Sequence, residues 1–455
     1  MRERERDFVK KDVVTTLSDW SEKYIPDAFP LVLILTLIVA VFSLFLTEST
    51  ISSIALNWYD GFWGMLTFTI QVCLLMFTGY MVSDARPVKR VLKWLAKIPR
   101  NRIQAVLLFL VFEEILYYLH FALGIAGAIV MGKALIVEQR KKGIYLPLNM
   151  IVAIGCFCLV FQAGPTAGSP LLVASEGHFL QAVIGVIPIT ESMLTLPMIC
   201  LNILMAIAYV VMCFWFVKNY QLTEDEARMI DGYSYEMEQP DLQRYETISE
   251  RVNHFPYIQI LIGTVGLGVF LAAVAKNGAG SISLNLVNFL FLMLALILHK
   301  NPAAMSESAR TAITTISGVL LQYPFYAGIF GILQYSGLAA LLIESFVTVA
   351  SPRLFTFIVF VFSALLNMVV PSGGSQFIVE APYIMPAAID MGKSLAYTLN
   401  AFTLGDLVTN LIQPFWAIPV LAAFGIKFKH IFPYCFIAFL VAFIIISCFF
   451  IGWMY

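Results

Sequence analysis

The chain has 455 residues, of which 60% are hydrophobic and 13% charged, with a formal net charge of −1. That composition excludes an ordinary soluble domain, and without a basic excess it gives no reason to expect a nucleic-acid partner. The 7 cysteines lie mostly in apolar runs, and Cys156 and Cys158 point to different faces of a helix, so neither a disulfide framework nor a metal site is expected.

Residues 1–27 begin Arg2-Glu3-Arg4-Glu5-Arg6-Asp7 and lack a small-residue cleavage signal before the first apolar run at Ala28. They read as a cytoplasmic segment, with a surface-lying helix over Phe8 to Tyr24. Apolar length then predicts full spans at 28–46, 61–83, 144–173, 193–217, 256–276, 285–299, 311–333, 394–426 and 431–453. Two further segments, 103–137 and 353–390, must enter and return on the same side. With the N-terminus inside, this arrangement puts 25 of the 28 Lys and Arg residues on the inner face and leaves Lys276, Arg353 and Lys393 outside. The bias supports both the orientation and the odd number of spans.

The stretch 218–255 is acidic, contains Gly232 and Pro240 and has no apolar period, so it reads as a solvated cytoplasmic linker. Across it the element order repeats with opposite sense. Residues 28–217 form a first transmembrane repeat, and 256–455 form a second with one extra span, 256–276, that reverses it. The predicted fold is an all-α polytopic membrane protein of two inverted repeats, each with a re-entrant helical hairpin and an interrupted transmembrane helix. Such an architecture belongs to secondary transporters, whose site lies at the midplane where the interruptions meet.

The sharpest interruption is Pro371-Ser372-Gly373-Gly374-Ser375-Gln376, between long apolar flanks. Backbone that leaves the helix at membrane depth is tolerated only where protein or a wet cavity satisfies it, so this tip is a candidate binding element, with Asn367 one turn before it and Glu380 one turn after. Free N–H groups at a helix start favour an anion, while hydroxyl, amide and carbonyl oxygens favour a small cation. Its expected partner is the second interrupted helix at Asn410 and Gln413, where Pro414 frees the Asn410 carbonyl. For Gln413, interhelical amide packing is an equal alternative. In the first half, Gln162-Ala163-Gly164-Pro165-Thr166-Ala167-Gly168-Ser169-Pro170 makes the same kind of break, nominating Gln162, Gly164, Thr166, Gly168 and Ser169. Glu113 and Glu114 fall mid-membrane on the first hairpin, with His120 two turns on, and are candidates for proton or cation coupling. Pairs such as Tyr117-Tyr118 and Tyr323–Tyr326 read as interface or packing residues.

Five separated motifs make the chain similar to the short-chain fatty acid transporter family of the ion-transporter superfamily. They are Asp60-Gly61-Phe62-Trp63, Leu298-His299-Lys300-Asn301-Pro302, Gln322-Tyr323-Pro324-Phe325-Tyr326-Ala327-Gly328-Ile329, Val370-Pro371-Ser372-Gly373-Gly374 and Gln413-Pro414-Phe415-Trp416-Ala417. The first half departs from the family pattern. Leu119-His120-Phe121 stands where an Asn-Trp-Gly-type turn is usual, and Gln162-Ala163-Gly164-Pro165 stands where a Gly-Gly-Gly run is usual.

The resemblance implies a secondary active transporter that carries butyrate- or acetoacetate-like monocarboxylates across the inner membrane, coupled to H⁺ or Na⁺ and needing no cofactor. With no Lys or Arg at either broken helix, a single carboxylate fits better than two, and Phe325, Phe377 or Trp416 could wall its short tail. The alternative within transport is an exchanger or symporter of other small organic anions, such as dicarboxylates. An intramembrane enzyme is disfavoured, because neither His-Glu-x-x-His nor a Gly-x-Ser-x-Gly elbow occurs. The expected partners are the substrate and the lipid bilayer; homo-oligomerisation is left open.

Overall fold

A chain surrounded by hydrocarbon must satisfy its backbone N–H and C=O groups internally, and this one does so with helices. The computed structural model describes residues 28–222, 224–233, 247–349, 352–368, 370, 372–413 and 416–452, and no strand occurs among them. Seven helices among these residues are long and apolar enough to cross a membrane. The surface helix expected over Phe8 to Tyr24 lies outside the described residues, as do Pro371 and Pro414.

Helix α1 (Ala28–Leu46) is followed by α2 (Ile51–Gly64) and α3 (Leu66–Asp84). The single span expected at 61–83 is thus two helices, broken at Met65, whose φ of −108° and ψ of 16° leave the helical region. Thr50 starts α2 with a reciprocal cap to Ser53. The amphipathic, basic α4 (Arg86–Lys97) leads into the first hairpin, α5 (Arg102–Leu119) and α6 (Phe121–Arg140). One residue makes the reversal. His120 is extended (φ −169°, ψ 130°); its N–H closes α5 on the Leu116 carbonyl at 2.8 Å, and its Nδ1 opens α6 by accepting from Ala122 N at 3.1 Å.

The first interrupted helix follows as α7 (Leu148–Phe157), a 3-10 turn (Cys158–Gln162), an irregular stretch and α8 (Gly168–Val173). Then come α9 (Leu196–Lys218), α10 (Tyr257–Asn277), α11 (Leu284–Leu298), α12 (Pro302–Ser336) and α13 (Leu338–Val349). The second hairpin is α14 (Phe355–Asn367) and α15 (Gly373–Asp390); the second interrupted helix is α16 (Leu395–Thr409) and α17 (Ile418–Phe424); α18 (Phe428–Gly452) ends the bundle. A hairpin followed by an interrupted helix therefore occurs twice.

Helix α12 is longer than the 311–333 expected, with 35 residues. At 1.5 Å per residue that is about 52 Å against a hydrocarbon core of about 30 Å, so it extends past the bilayer. Its start explains the excess: Asn301 caps it by accepting from Ala304 N at 2.9 Å, with Pro302 in the first turn. It packs against α1, α2, α3 and α15. At the α2 crossing, Gly61 and Gly331 meet backbone to backbone, and a Cβ on either would overlap main-chain atoms of the other helix.

The acidic linker is only partly as expected. A short helix, Glu224–Gly232, docks on the bundle, with Arg140 Nη1 donating to the Ile230 and Asp231 carbonyls at 2.5 and 2.7 Å and Tyr233 Oη donating to the Phe424 carbonyl. Its one large apolar anchor, the buried Ile230, is too little to register as a period in the sequence.

Candidate functional site

The second hairpin, both interrupted helices and α3 enclose a cavity of about 80 Å³. A single water needs on the order of 10–15 Å³ by this measure, so the space admits a solute of a few heavy atoms. Phe68, Val72, Leu75 and Met76 of α3, with Phe121 and Trp416, form its apolar wall. Its polar residues are Gln162, Ser169, Tyr323, Ser372, Thr403, Asp406 and Asn410, with Gly168, Gly373 and Gly374 between them. None of the described lining residues is Lys, Arg or His.

The glycines at the tip are explained by close approach. A Cβ on Gly373 would overlap the Asp406 carboxylate, and one on Gly374 would overlap the Tyr323 hydroxyl. Helix α15 starts there, so its first-turn N–H groups have no carbonyl partner within the helix, and Gly373 and Gly374 of that turn line the cavity at the positive end of the helix dipole. Ser372 Oγ lies 3.2 Å from Tyr323 Oη, and Ser169 Oγ donates to the Gly373 carbonyl at 3.3 Å. The latter bond ties the first interruption to the second hairpin.

Asn367 lies behind the cavity as a brace. Fully buried, its Nδ2 donates to the Asp406 carbonyl at 2.7 Å and to Thr409 Oγ1 and Asn410 Oδ1 at 2.8 Å each, while its own carbonyl accepts from Gln413 Nε2 at 2.9 Å. Gln376 plays a similar part between the hairpin arms, donating to the Ser363 carbonyl at 2.7 Å and to Glu380 Oε2 at 2.9 Å, and the Ser363 hydroxyl donates to Glu380 Oε1. Ser375 is buried one residue beyond the lining glycines. Gln413, Gln376, Ser375 and Asn367 are thus within the site's supporting shell and not on its surface.

The first-half candidates divide in the same way. Gln162, Gly168 and Ser169 line the cavity. Thr166 and Gly164 face the first hairpin: Thr166 Oγ1 donates to the Leu119 carbonyl at 2.9 Å, and Gly164 seats against Tyr118. The irregular backbone between them is held by Asn202 Nδ2, which donates to the Ala163 carbonyl at 3.0 Å. Glu113 is buried against Gly127, and Glu114 faces a separate cavity of about 430 Å³ beside α9. His120 packs on Gly79 of α3 and on Phe291. None of these three lines the smaller cavity.

Residues 10–452 match the family model of the short chain fatty acid transporter. The chain belongs to that family. It is 31% identical over 422 residues to a relative from Escherichia coli (strain K12) named "Putative short-chain fatty acid transporter", covering 92% of this chain and 94% of that protein. A relative of the same name from Haemophilus influenzae is 28% identical over 433 residues, with the same coverage. Among solved structures, the fold is similar to the Alcanivorax borkumensis YdaH transporter, with a TM-score of 0.59 at 15% identity, covering 94% of this chain and 99% of that one. It is also similar to Neisseria gonorrhoeae MtrF, with a TM-score of 0.55 at 13% identity, covering 96% and 97%. The protein is a multi-pass membrane transporter.

Three polar residues of this family member's cavity, Asp406, Tyr323 and Thr403, escape a reading of the sequence. Asp406 is a carboxylate within an apolar helix, one turn before Asn410, and the rule that draws attention to Glu113 applies to it equally. Tyr323 reads as a packing aromatic, and only the fold reveals that its hydroxyl reaches the hairpin tip.

Proposed function

We propose that this family member carries short-chain monocarboxylates of the butyrate or acetoacetate kind across the cytoplasmic membrane, driven by a gradient of H⁺ or Na⁺. One observation carries the reading: a small cavity with hydroxyls and first-turn amides on one side, an apolar wall on the other and no Lys or Arg among its described lining residues. Amides and hydroxyls suffice for one carboxylate, and the wall suits a short tail. A second carboxylate would lose its water without gaining a cation. The names of the relatives point to the same substrate class.

In this reading, Ser372, Gly373, Gly374, Ser169, Asn410 and Gln162 touch the load. Asn367, Ser375, Gln376, Gln413, Thr166 and Gly164 hold them in place, and Pro371 belongs to the same tip. The two hairpin-plus-interruption units, taken as inverted repeats, alternate the cavity between the membrane's two sides. The deciding experiment is uptake by purified protein in liposomes under imposed Na⁺ or H⁺ gradients, with unlabelled acids competing against labelled butyrate. Each added methylene should contribute up to about 0.8 kcal/mol until the tail outgrows the wall, so affinity rises from acetate to butyrate and then falls. Succinate competing as well as butyrate would instead favour a dicarboxylate carrier.

A further inference from the structure

We infer that Asp406 carries one monovalent cation, H⁺ or Na⁺, with each substrate anion, so that the cavity moves a neutral load. The inference rests on the monocarboxylate reading and adds the residue and the stoichiometry. Asp406 is 6% exposed and lines the cavity, yet its Oδ1 has no hydrogen-bond partner. Its other oxygen points at the Gly373 backbone, where the hairpin tip begins. Asn367 Nδ2 donates to the Asp406 carbonyl at 2.7 Å, which anchors the backbone from which the carboxylate projects into the cavity. An ionised Asp406 and a substrate carboxylate would be two like charges in a space holding a few waters, with no fixed cation on the described lining. Such a pair cannot stay charged together unless a cation comes with it.

The other titratable groups around Asp406 are already engaged elsewhere. On α15, Glu380 accepts from Ser363 and Gln376 and does not line the cavity. Tyr323 of α12 is paired with Ser372. Of α14, α8 and the 3-10 turn, which pack on α16, Asn367, Ser363, Ser169 and Gln162 do not titrate, and the buried Cys158 does not line the cavity. Helix α18 packs on α16 too, but its Tyr434 and Cys435 lie near Glu226 and Cys156.

Calorimetric titration of butyrate into the purified full-length protein, over about three pH units and with Na⁺ or choline as the salt, reads the linkage directly. If the proton is carried, wild-type affinity falls about tenfold per pH unit above the Asp406 transition; if Na⁺ is carried, affinity rises about tenfold per tenfold Na⁺. Asp406→Asn should lose whichever slope the wild type has, and at high pH without Na⁺ it should bind butyrate more tightly than the wild type. Asp406→Glu should keep the slope with its midpoint moved, and this variant decides the matter if Asp406→Asn does not fold. Glu380→Gln should leave the slope in place. A slope that survives in Asp406→Asn, moves only with Glu380, or keeps its midpoint in Asp406→Glu would overturn the assignment. Wild-type binding indifferent to both pH and Na⁺ would overturn it as well. Failure of acetate, butyrate and hexanoate to bind at any pH would instead overturn the monocarboxylate reading itself.

Discussion

The two hairpins follow one plan and differ in chemistry. The first turns on a single residue, His120, and its tip is sealed against Gly79 and Phe291. In the second, α14 ends at Asn367 and α15 begins at Gly373, and Ser372, Gly373 and Gly374 line a cavity. Their carboxylates differ likewise. Both oxygens of Glu113 lack a hydrogen-bond partner, whereas both oxygens of Glu380 accept one. The comparison teaches that a broken helix marks where a site can be, while the hydroxyls, amides and glycines brought to the break determine whether it is one. The first half still contributes, but through its interrupted helix, at Gln162 and Ser169.

The largest effect that could break this contrast lies at the second tip. Gly373→Val and Gly374→Val each force a branched side chain onto Asp406 or Tyr323, and uptake per molecule inserted should fall by at least about 50-fold, roughly the loss of two good contacts. Near wild-type uptake, measured against membrane abundance on blots, would mean that the tip is only a turn. Next in size is Asn367→Ala, which removes three donor contacts and leaves acceptors unpaired, a cost of about 2–4 kcal/mol. A clear drop in thermal midpoint in detergent is expected, together with weakened butyrate binding.

Smaller effects test the other side of the contrast. Thr166→Val deletes one bond to the Leu119 carbonyl and should cost about 1 kcal/mol of stability with uptake within about twofold. Glu113→Gln removes a buried carboxylate far from the lining, so the pH dependence of butyrate uptake should stay unchanged and the thermal midpoint equal or higher. A shifted pH profile in that variant would make the first hairpin the coupling element, as the sequence allows. The least effect on stability is expected from Gly168→Ala, because a Cβ there meets no protein atom, and since Gly168 lines the cavity any loss of uptake should grow with the length of the acid.

Much of the fold was legible because hydropathy, charge bias and proline-glycine breaks each act locally along the chain. The hairpin reversals and both interruptions lie where those signals put them. The break at Met65 carries no proline or glycine at the residue itself, and the extension of α12 depends on the Asn301 cap; both are easily read as part of longer apolar runs. The candidate site was half legible. Ser372 and the two glycines announce themselves because a proline and paired glycines break a long apolar run, and in the structure Gly373 and Gly374 open the first turn of α15. Asp406 and Tyr323 sit in regular helix, so only the folded distances to Gly373 and Ser372 reveal them. Asn367 and Gln413 were visible as polar residues, but lining and bracing amides look alike in a sequence.

The glycine crossing between α2 and α12 has a mechanical consequence. Where Gly61 meets Gly331 there are no side chains to repack, so the two helices can neither slide by a turn nor part without opening a void. Helix α1 also packs against α12, so the three helices form one closely packed group. Tyr323 belongs to α12, with its hydroxyl resting 3.2 Å from Ser372 at the hairpin tip. The Tyr323–Ser372 contact therefore joins the α2–α12 pair to the hairpin tip that lines the cavity.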